Sequence, residues 1–290
     1  MELFLSTLIS GLSSGGTYAM IALGYTMVYG IAKMLNFAHG DVIMIGGYLI
    51  YLFVAIANPF LAIPVAIIGC TILGITIEKV AYKPLRGASP LAVLITAIGM
   101  SYLLQTLAQI IFGSDQKMVT MFSLGSVKIF GVSVAVSTLV TLAATVIVMV
   151  ALTLFIKYTR IGRAMIAVSE DRGAAQLMGI NVNFIITVTF AIGSALAALA
   201  GIFYLLKDLP VTNTMGAMPG IKAFTAAVIG GIGSIPGAML GGILLGLVEA
   251  IASKITVIAP YTDAIEFAIL IIILLVRPTG FLGKKRREKV

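Results

Sequence analysis

The side chains that could carry acid–base, metal or nucleophilic chemistry are few in this chain of 290 residues, and they are widely spaced. The one histidine, His39, lies two residues from Asp41 but has no further partner at the spacing of a metal site or catalytic triad. The single cysteine, Cys70, can form no disulfide within the chain. No G-x-x-x-x-G-K-[ST] loop occurs to hold ATP. We therefore expect no catalytic residue, metal or cofactor in this chain, and no enzymatic activity of its own.

The charged side chains are better suited to recognition than to catalysis, because they gather in one interior segment, residues 157–183. Charges of both signs fall within sixteen positions there: Lys157, Arg160, Arg163, Glu170, Asp171 and Arg172. A surface that rests on anionic lipid would carry mainly Lys and Arg, whereas mixed signs favour a protein partner. We expect this segment, called the charged loop below, to dock a partner, with lipid contact as the alternative.

The composition predicts that the charged loop connects membrane helices. Hydrophobic residues make up 60% of the chain and charged residues 10%, against about 25% charged in soluble domains. Uncharged runs cover 3–32, 42–77, 87–114, 129–156, 173–206 and 223–248, and a membrane span needs roughly 20 apolar residues. We expect one transmembrane domain over residues 1–290: an all-α polytopic membrane protein with about eight crossings, including short or broken helices, and a basic tail at 278–290.

The predicted spans follow the uncharged runs in order. They cover roughly 5–31, 42–57, 60–77, 90–112, 133–156 and 184–206, with a more polar loop at 113–132. Residues 223–233 are too short for a full span, and the glycines and proline of GGIGSIPGA should break the helix there. A short helix before this break, a full helix after it and a last span near 260–276 complete the set. The first span is rich in glycine, which favours close helix packing over a substrate groove.

Two predicted interruptions of the helices are the candidate translocation path. The motif LNFAHGD, residues 35–41, precedes the second span, and GGIGSIPGA interrupts the later one. Capping of the second span by Asn36 or Asp41 is the simpler interpretation of the first motif. Irregular backbone at membrane depth is otherwise tolerated only around a cavity. The path residues predicted on that basis are Asn36, Phe37, His39, Asp41, Gly231, Gly233, Ser234 and Pro236.

The distribution of Lys and Arg predicts the orientation. With the N-terminus in the periplasm, fourteen cations lie on the cytoplasmic side, including those of the charged loop and of the tail. Five lie outside: Lys117, Lys128, Lys207, Lys222 and Lys254. This asymmetry fits the positive-inside rule and places the charged loop and the C-terminus in the cytoplasm. The net charge of +8 is then explained by topology and by lipid contact rather than by nucleic acid.

Periodicity predicts one amphipathic helix within the charged loop, bounded by Gly162 and Gly179. Its apolar face repeats at helical spacing, with Asp171 as the exception: Ala164, Ala167, Val168, Asp171, Ala174, Ala175 and Met178. Arg163, Glu170 and Arg172 lie off that face. The residues expected to contact the partner or to position the helix are Gly162, Arg163, Ala164, Ala167, Glu170, Asp171, Arg172, Ala175 and Gly179.

Three motifs resemble one family of transporters. GRAMIAVSEDRGAAQLMGIN is similar to the cytoplasmic coupling motif of ABC importer permeases. LNFAHGD and GGIGSIPGAMLGGILLGLVEA resemble the Liv-type permeases for branched-chain amino acids, in particular the shorter, H-type subunit. The resemblance implies a second paralogous permease, two cytoplasmic ATPase subunits that carry ATP and Mg²⁺, and a periplasmic binding protein, together importing Leu, Ile and Val across the bacterial inner membrane. Related permeases carry urea, amides or other amino acids.

An ion-coupled secondary carrier is the alternative from a different class. Such carriers usually need acids within the membrane, and the candidates here are Asp41, Glu249, Asp263 and Glu266. All four are predicted near span ends. Glu249 precedes Lys254 by five residues, so we expect its side chain to reach the membrane interface.

Overall fold

A computed structural model describes residues 2–56, 58–119, 121–122, 125–129, 132–207 and 209–283, and these are almost entirely helical. The basic tail from residue 284 lies outside the described residues. In chain order the elements are α1 (Glu2–Ala32), α2 (His39–Ile56), α3 (Pro59–Ile77) with a π-helical turn (Glu78–Tyr82) and a 3-10 turn (Lys83–Leu85), α4 (Pro90–Phe112), β1 (Ser126–Ile129), β2 (Val132–Ala135), α5 (Val136–Tyr158), α6 (Arg160–Glu170), α7 (Arg172–Leu177), α8 (Val182–Leu205), α9 (Ala217–Gly230), α10 (Ile235–Lys254), a 3-10 turn (Ala259–Tyr261) and α11 (Thr262–Val276).

Seven helical segments in the described part of the chain are long and apolar enough to cross a membrane: α2, α3, α4, α5, α8, α10, and α11 together with the 3-10 turn before it. This confirms the prediction of an all-α polytopic membrane protein. Two further helices are described, the 31-residue α1 and the 14-residue α9. At 1.5 Å per residue, α9 is only about 21 Å long. With these two helices the described segments number nine, against a prediction of about eight crossings.

The core is built around α1, which packs most extensively against α10 and next against α8. Glycines make the α1–α10 contact possible. A Cβ added to Gly246 would lie 2.2 Å from the backbone nitrogen of Gly15, and one added to Gly242 would lie 2.4 Å from the Cα of Ala19. The small residues of the first span therefore serve close helix packing, as predicted.

The outer helices show the opposite pattern. About two-thirds of the residues in the most apolar stretch of α8 are buried, whereas only 6% of those in the corresponding stretch of α11 are buried. Large apolar side chains such as Ile95 on α4, Ile147 on α5 and Ile271 on α11 are more than half exposed. An apolar surface of this kind is stable next to lipid, which fits helices at the rim of a membrane domain.

Three predicted boundaries differ from the structure. The predicted loop at 113–132 contains an antiparallel hairpin, in which Val127 pairs with Val134. The single helix predicted over 162–179 is two helices, because the chain is extended at Asp171. His39 and Asp41, predicted in an interruption, lie in the first turn of α2. The first break of the helices is therefore residues 33–38, and the second break, between α9 and α10, is residues 231–234.

Candidate functional site: the charged loop and the two helix breaks

The charged loop folds back against the end of α5. Thr159 caps α6, since its hydroxyl accepts a hydrogen bond from the backbone N–H of Gly162 at 2.9 Å. A Cβ at Gly162 would lie 2.4 Å from the Cα of Ile156, so only glycine allows this approach. Asp171 caps α7 by accepting from the N–H of Ala174 at 3.0 Å, and Gly179 ends the turn with a φ of 80°.

The break at Asp171 divides the apolar face that periodicity predicted. Val168 on α6 and Ala175 on α7 are buried, but Met178 is 81% exposed. Met165, which the predicted face omitted, is fully buried. The predicted coupling residues fall into two groups: Gly162, Ala164, Ala167, Arg172 and Ala175 are buried or half-buried, and Arg163, Glu170, Asp171 and Gly179 are exposed.

Arg172 connects the charged loop to the first break. Its guanidinium donates to the carbonyl oxygen of Ala32, the last residue of α1. Arg86, after α3, donates to the buried carboxylate of Glu78, which also accepts from the Thr187 hydroxyl at 2.7 Å. Arginine at the C-terminal end of a helix satisfies carbonyl groups that have no partner within the helix. A displacement of α7 would therefore act directly on the end of α1.

Aromatic side chains pack around the first break. The Tyr25 ring lies 4.6 Å from the His39 ring and 5.9 Å from the Phe224 ring, and Phe37 lies 5.9 Å from Phe224. Asn36 is held in place because its side-chain oxygen accepts from the Tyr82 hydroxyl at 3.0 Å. The cavity at this site measures about 10 Å³, roughly the volume that one water needs. The structure thus brings Asn36, Phe37 and His39 together with α9.

Asp41 does not line this cavity. Its carboxylate accepts a hydrogen bond from the side-chain amide of Gln105 on α4, at 2.9 Å, so it serves helix packing on the far side of α2. Of the four path residues predicted at the first interruption, Asn36 and His39 line the small cavity. Phe37 packs beside it.

The second break is built as predicted. Gly231 and Gly233 have φ angles of 104° and 93°, which L side chains rarely adopt. Ser234 then caps α10 by accepting from the N–H of Gly237 at 3.2 Å, and Pro236 lies in the first turn. The chain after α11 packs here as well, since the N–H of Phe281 donates to the Ile229 carbonyl at 2.9 Å.

A larger cavity joins the second break to the charged loop. It has a volume of about 500 Å³ and extends between α1, α5, α6 and the second break. Gly233, Ser234 and Pro236 line one side, and Met165 and Glu170 of α6 line the other. Glu170, predicted to contact a partner, therefore faces the same space as three of the residues predicted for the path. Gly231 does not line it and packs instead against Gly283.

The structure contradicts the prediction that Glu249 reaches the membrane interface beside Lys254. Glu249 points inward, where its carboxylate is 2.7 Å from the Lys222 ammonium and accepts from the Tyr18 hydroxyl at 3.0 Å. Asp263 and Glu266 of α11 also contact Lys222, at 2.8 and 3.4 Å. This ion cluster ties the N-terminal end of α9 to α10 and α11. Sequence reasoning placed Lys222 in a polar link and missed it, because its partners lie 27 to 44 residues away.

The comparisons with known proteins agree with this architecture. Residues 7–274 match the family model of the permease component of branched-chain amino acid transport systems. The high-affinity branched-chain amino acid permease protein LivH of Salmonella typhimurium is 45% identical, with 99% of this chain and 98% of that protein covered. BraD of Pseudomonas aeruginosa, described in the same words, is 44% identical with the same coverage.

A more distant relative is the ribose import permease protein RbsC of Haemophilus influenzae, which is 29% identical over 92% of this chain and 83% of its own length. It extends the similarity to a permease whose printed name gives a different imported compound. The family match and both branched-chain relatives span nearly the whole chain. This chain therefore belongs to the family of permease components of branched-chain amino acid transport systems.

Proposed function

We propose that this chain is the membrane-spanning permease subunit of an ATP-driven importer of Leu, Ile and Val in the bacterial inner membrane. The observation that carries the proposal is the large cavity, because residues of the charged loop and of the second break line the same space. A partner that displaces α6 would change the shape of that cavity. As a permease component the chain is not itself the catalyst; ATP and Mg²⁺ would be held by two partner ATPase subunits.

The exposed surface of the charged loop supports docking of a protein. Leu177 and Met178 are 91% and 81% exposed outside the membrane-length helices, in the same loop as the exposed charges Arg163 and Glu170. Apolar side chains next to charges of both signs are typical of a protein interface rather than of a lipid-binding face. Arg172 then provides a direct connection from this surface to the end of α1.

The path itself would run along the two breaks. The small cavity, bordered by the aromatic side chains of Tyr25, His39 and Phe224, has room for about one water, whereas the large cavity measures about 500 Å³. With the charged loop in the cytoplasm, as the distribution of Lys and Arg predicts, both cavities would lie near the cytoplasmic end of α1. Alternating access would require Phe224 and Tyr25 to separate while the large cavity contracts.

The substrate class rests on the relatives and on the lining. LivH and BraD are described as branched-chain amino acid permeases, and the small cavity is lined mainly by apolar and aromatic residues, with Asn36 and His39 as polar groups. Such a lining suits aliphatic side chains. We further propose a second paralogous permease and a periplasmic binding protein as partners, with the N-terminus in the periplasm. Urea, amides or other amino acids are the alternative substrates within the family.

Charge reversals on the charged loop test the coupling. Arg163→Glu and Glu170→Arg should each abolish ATP-driven leucine uptake in proteoliposomes that contain all subunits, while the chain still inserts and folds. Lys117→Glu, on a loop between membrane helices remote from α6, is the matched control and should transport normally. Normal uptake by both charge-reversal variants would show that the charged loop does not couple.

A second measurement distinguishes the ATP-driven importer from an ion-coupled carrier. The purified chain alone, in liposomes with a proton or sodium gradient, should accumulate no leucine. Uptake driven by such a gradient without ATP would refute the ATP-driven function and would assign a coupling role to the ion cluster.

A further inference from the structure

A third cavity lies beside the first break and shares Tyr29, Met34 and Leu35 with the small cavity, but its lining carries an excess of positive charge. It has a volume of about 340 Å³ and lies between the end of α1, the start of α4 and α7. Lys33, Arg86 and Arg172 line it, and no acidic residue is among the described residues of its lining. Lys33 donates to the carbonyl oxygen of Gly30 and also lines the large cavity, so the two arginines, Arg86 and Arg172, are the groups that most favour an anionic occupant here.

The two guanidinium groups are only partly satisfied by the protein. Arg86 donates to Glu78 and to the side-chain oxygen of Asn183, but its Nε is buried and has no hydrogen-bond partner in the described structure. Arg172 donates to the Ala32 carbonyl. Burial, and then the nearby charge of Arg86, lower the pKa of Arg172. Glu78 neutralises one of the two arginines, so the pair retains a charge that an anion in the cavity would offset.

The rest of the lining is apolar and leads into the lipid-facing surface. Leu85, Val93 and Leu94 line the cavity, and α4 starts there, so the positive end of its helix dipole faces the same space. On the same turns of α4, Leu91 and Ile95 are more than 60% exposed. An occupant with an anionic group at the cations and apolar chains along α4 would match both parts of this surface.

We propose that this cavity binds the phosphate group of an anionic phospholipid, with its acyl chains along the exposed face of α4. Arginine pairs with phosphate through two parallel N–H donors, which a neutral or purely apolar ligand cannot use. Basic pockets beside membrane helices at the cytoplasmic side are a known way to hold lipid headgroups. Because Arg172 also holds the end of α1, the bound phosphate would fasten the charged loop to the membrane domain. The binding site needs α4 in the bilayer and does not depend on what the chain transports.

The test measures lipid binding directly. The full chain is delipidated in detergent and titrated with phosphatidylglycerol, and bound lipid is counted by native mass spectrometry. Each removed cation should weaken binding about fivefold, so Arg172→Gln and Lys33→Gln should each show this loss. Lys83→Gln removes the same charge from an exposed neighbouring position outside the lining and should bind like the parent. Lys33→Gln keeps the test decisive if Arg172→Gln does not fold.

The probes distinguish the source of the phosphate. Phosphatidylglycerol should bind at least about fivefold more tightly than zwitterionic phosphatidylcholine, and inorganic phosphate at the same concentration should not displace it. Displacement by inorganic phosphate would overturn the lipid assignment in favour of a soluble anion. Equal binding of the two lipids, unchanged binding in both cavity variants, or loss of the lipid when ATPase subunits associate would each overturn the proposal, the last in favour of a protein partner.

Discussion

Replacing Gly246 with alanine should force α1 and α10 apart. The new Cβ would lie 2.2 Å from the backbone nitrogen and 2.4 Å from the Cα of Gly15. Backbone atoms cannot rotate out of the way as a side chain does, so the helices themselves must separate by about 1 Å. Because α10 begins at the second break, this movement would reach the proposed path as well as the core.

The magnitude follows from two opposing terms. Alanine is intrinsically better than glycine in a helix by about 1 kcal/mol, whereas overpacking a core costs about 1–3 kcal/mol. Gly99→Ala is the matched control, because Gly99 lies within α4 and nothing is within 4 Å of an added Cβ there. The control should be neutral or slightly stabilised. The propensity gain is common to both variants, so their free energies of unfolding should differ by the overpacking cost, about 1–3 kcal/mol.

The assay is reversible unfolding in mixed detergent micelles, with leucine uptake by reconstituted protein as the functional measurement. Gly246→Ala should unfold at lower denaturant and lose most uptake, and Gly99→Ala should do neither. If both variants have the same stability within about 0.5 kcal/mol, the α1–α10 contact is not as close as described, and the reasoning from glycine packing is wrong.

Three further predictions concern other contacts. Lys222→Met leaves buried carboxylates unpaired and should lower the free energy of unfolding by about 3–5 kcal/mol. Asp263→Asn removes a half-exposed partner and should lower it by less than about 1 kcal/mol. Equal effects of the two variants in denaturant titrations would contradict the ion pairs described for Lys222. Burial lowers the pKa of Lys207 from 10.5 to about 8, so the unfolded chain binds more protons between these values and stability should rise with pH across that window. Lys207→Gln should remove this rise in unfolding titrations at several pH values, and an unchanged slope would refute the assignment. Gly24→Ala would place a Cβ 2.4 Å from Nε2 of His39, so it should displace that ring and reduce uptake; normal uptake and stability would argue against a fixed His39.

The parts of the fold that could be predicted are those with local signals. The bounds of α4 match the prediction of 90–112, because Ser89 and Pro90 start the helix and Gly113, with a φ of 82°, ends it. The second break was predicted for the same reason, from the glycines and the proline of GGIGSIPGA, and the structure shows Gly231 and Gly233 at positive φ and Pro236 in the first turn of α10. The start and end of a helix depend on residues that are adjacent in sequence, and these can be identified from one sequence.

The missed features depend on residues far apart in the chain or on a competing local signal. Periodicity favoured one helix through Asp171, but the side chain of Asp171 caps α7 and ends α6 instead. Glu249 was paired by proximity with Lys254, while its partner in the fold is Lys222 on another helix. Tyr25 and Phe224, which border the small cavity, lie within apolar runs where no spacing distinguishes a path residue from a core residue.

The contact between α1 and α10 also sets the order in which the protein can be completed. Synthesis finishes α1 about 200 residues before α10 begins. At roughly 5–20 residues per second, α1 waits about 10–40 s with its glycine face uncovered. The central helix of the domain is thus the first to be made and among the last to be enclosed. A chain that stops before residue 235 would leave the glycine face of α1 in contact with lipid. In such a truncated product the unpacked helix is the first one, not the last.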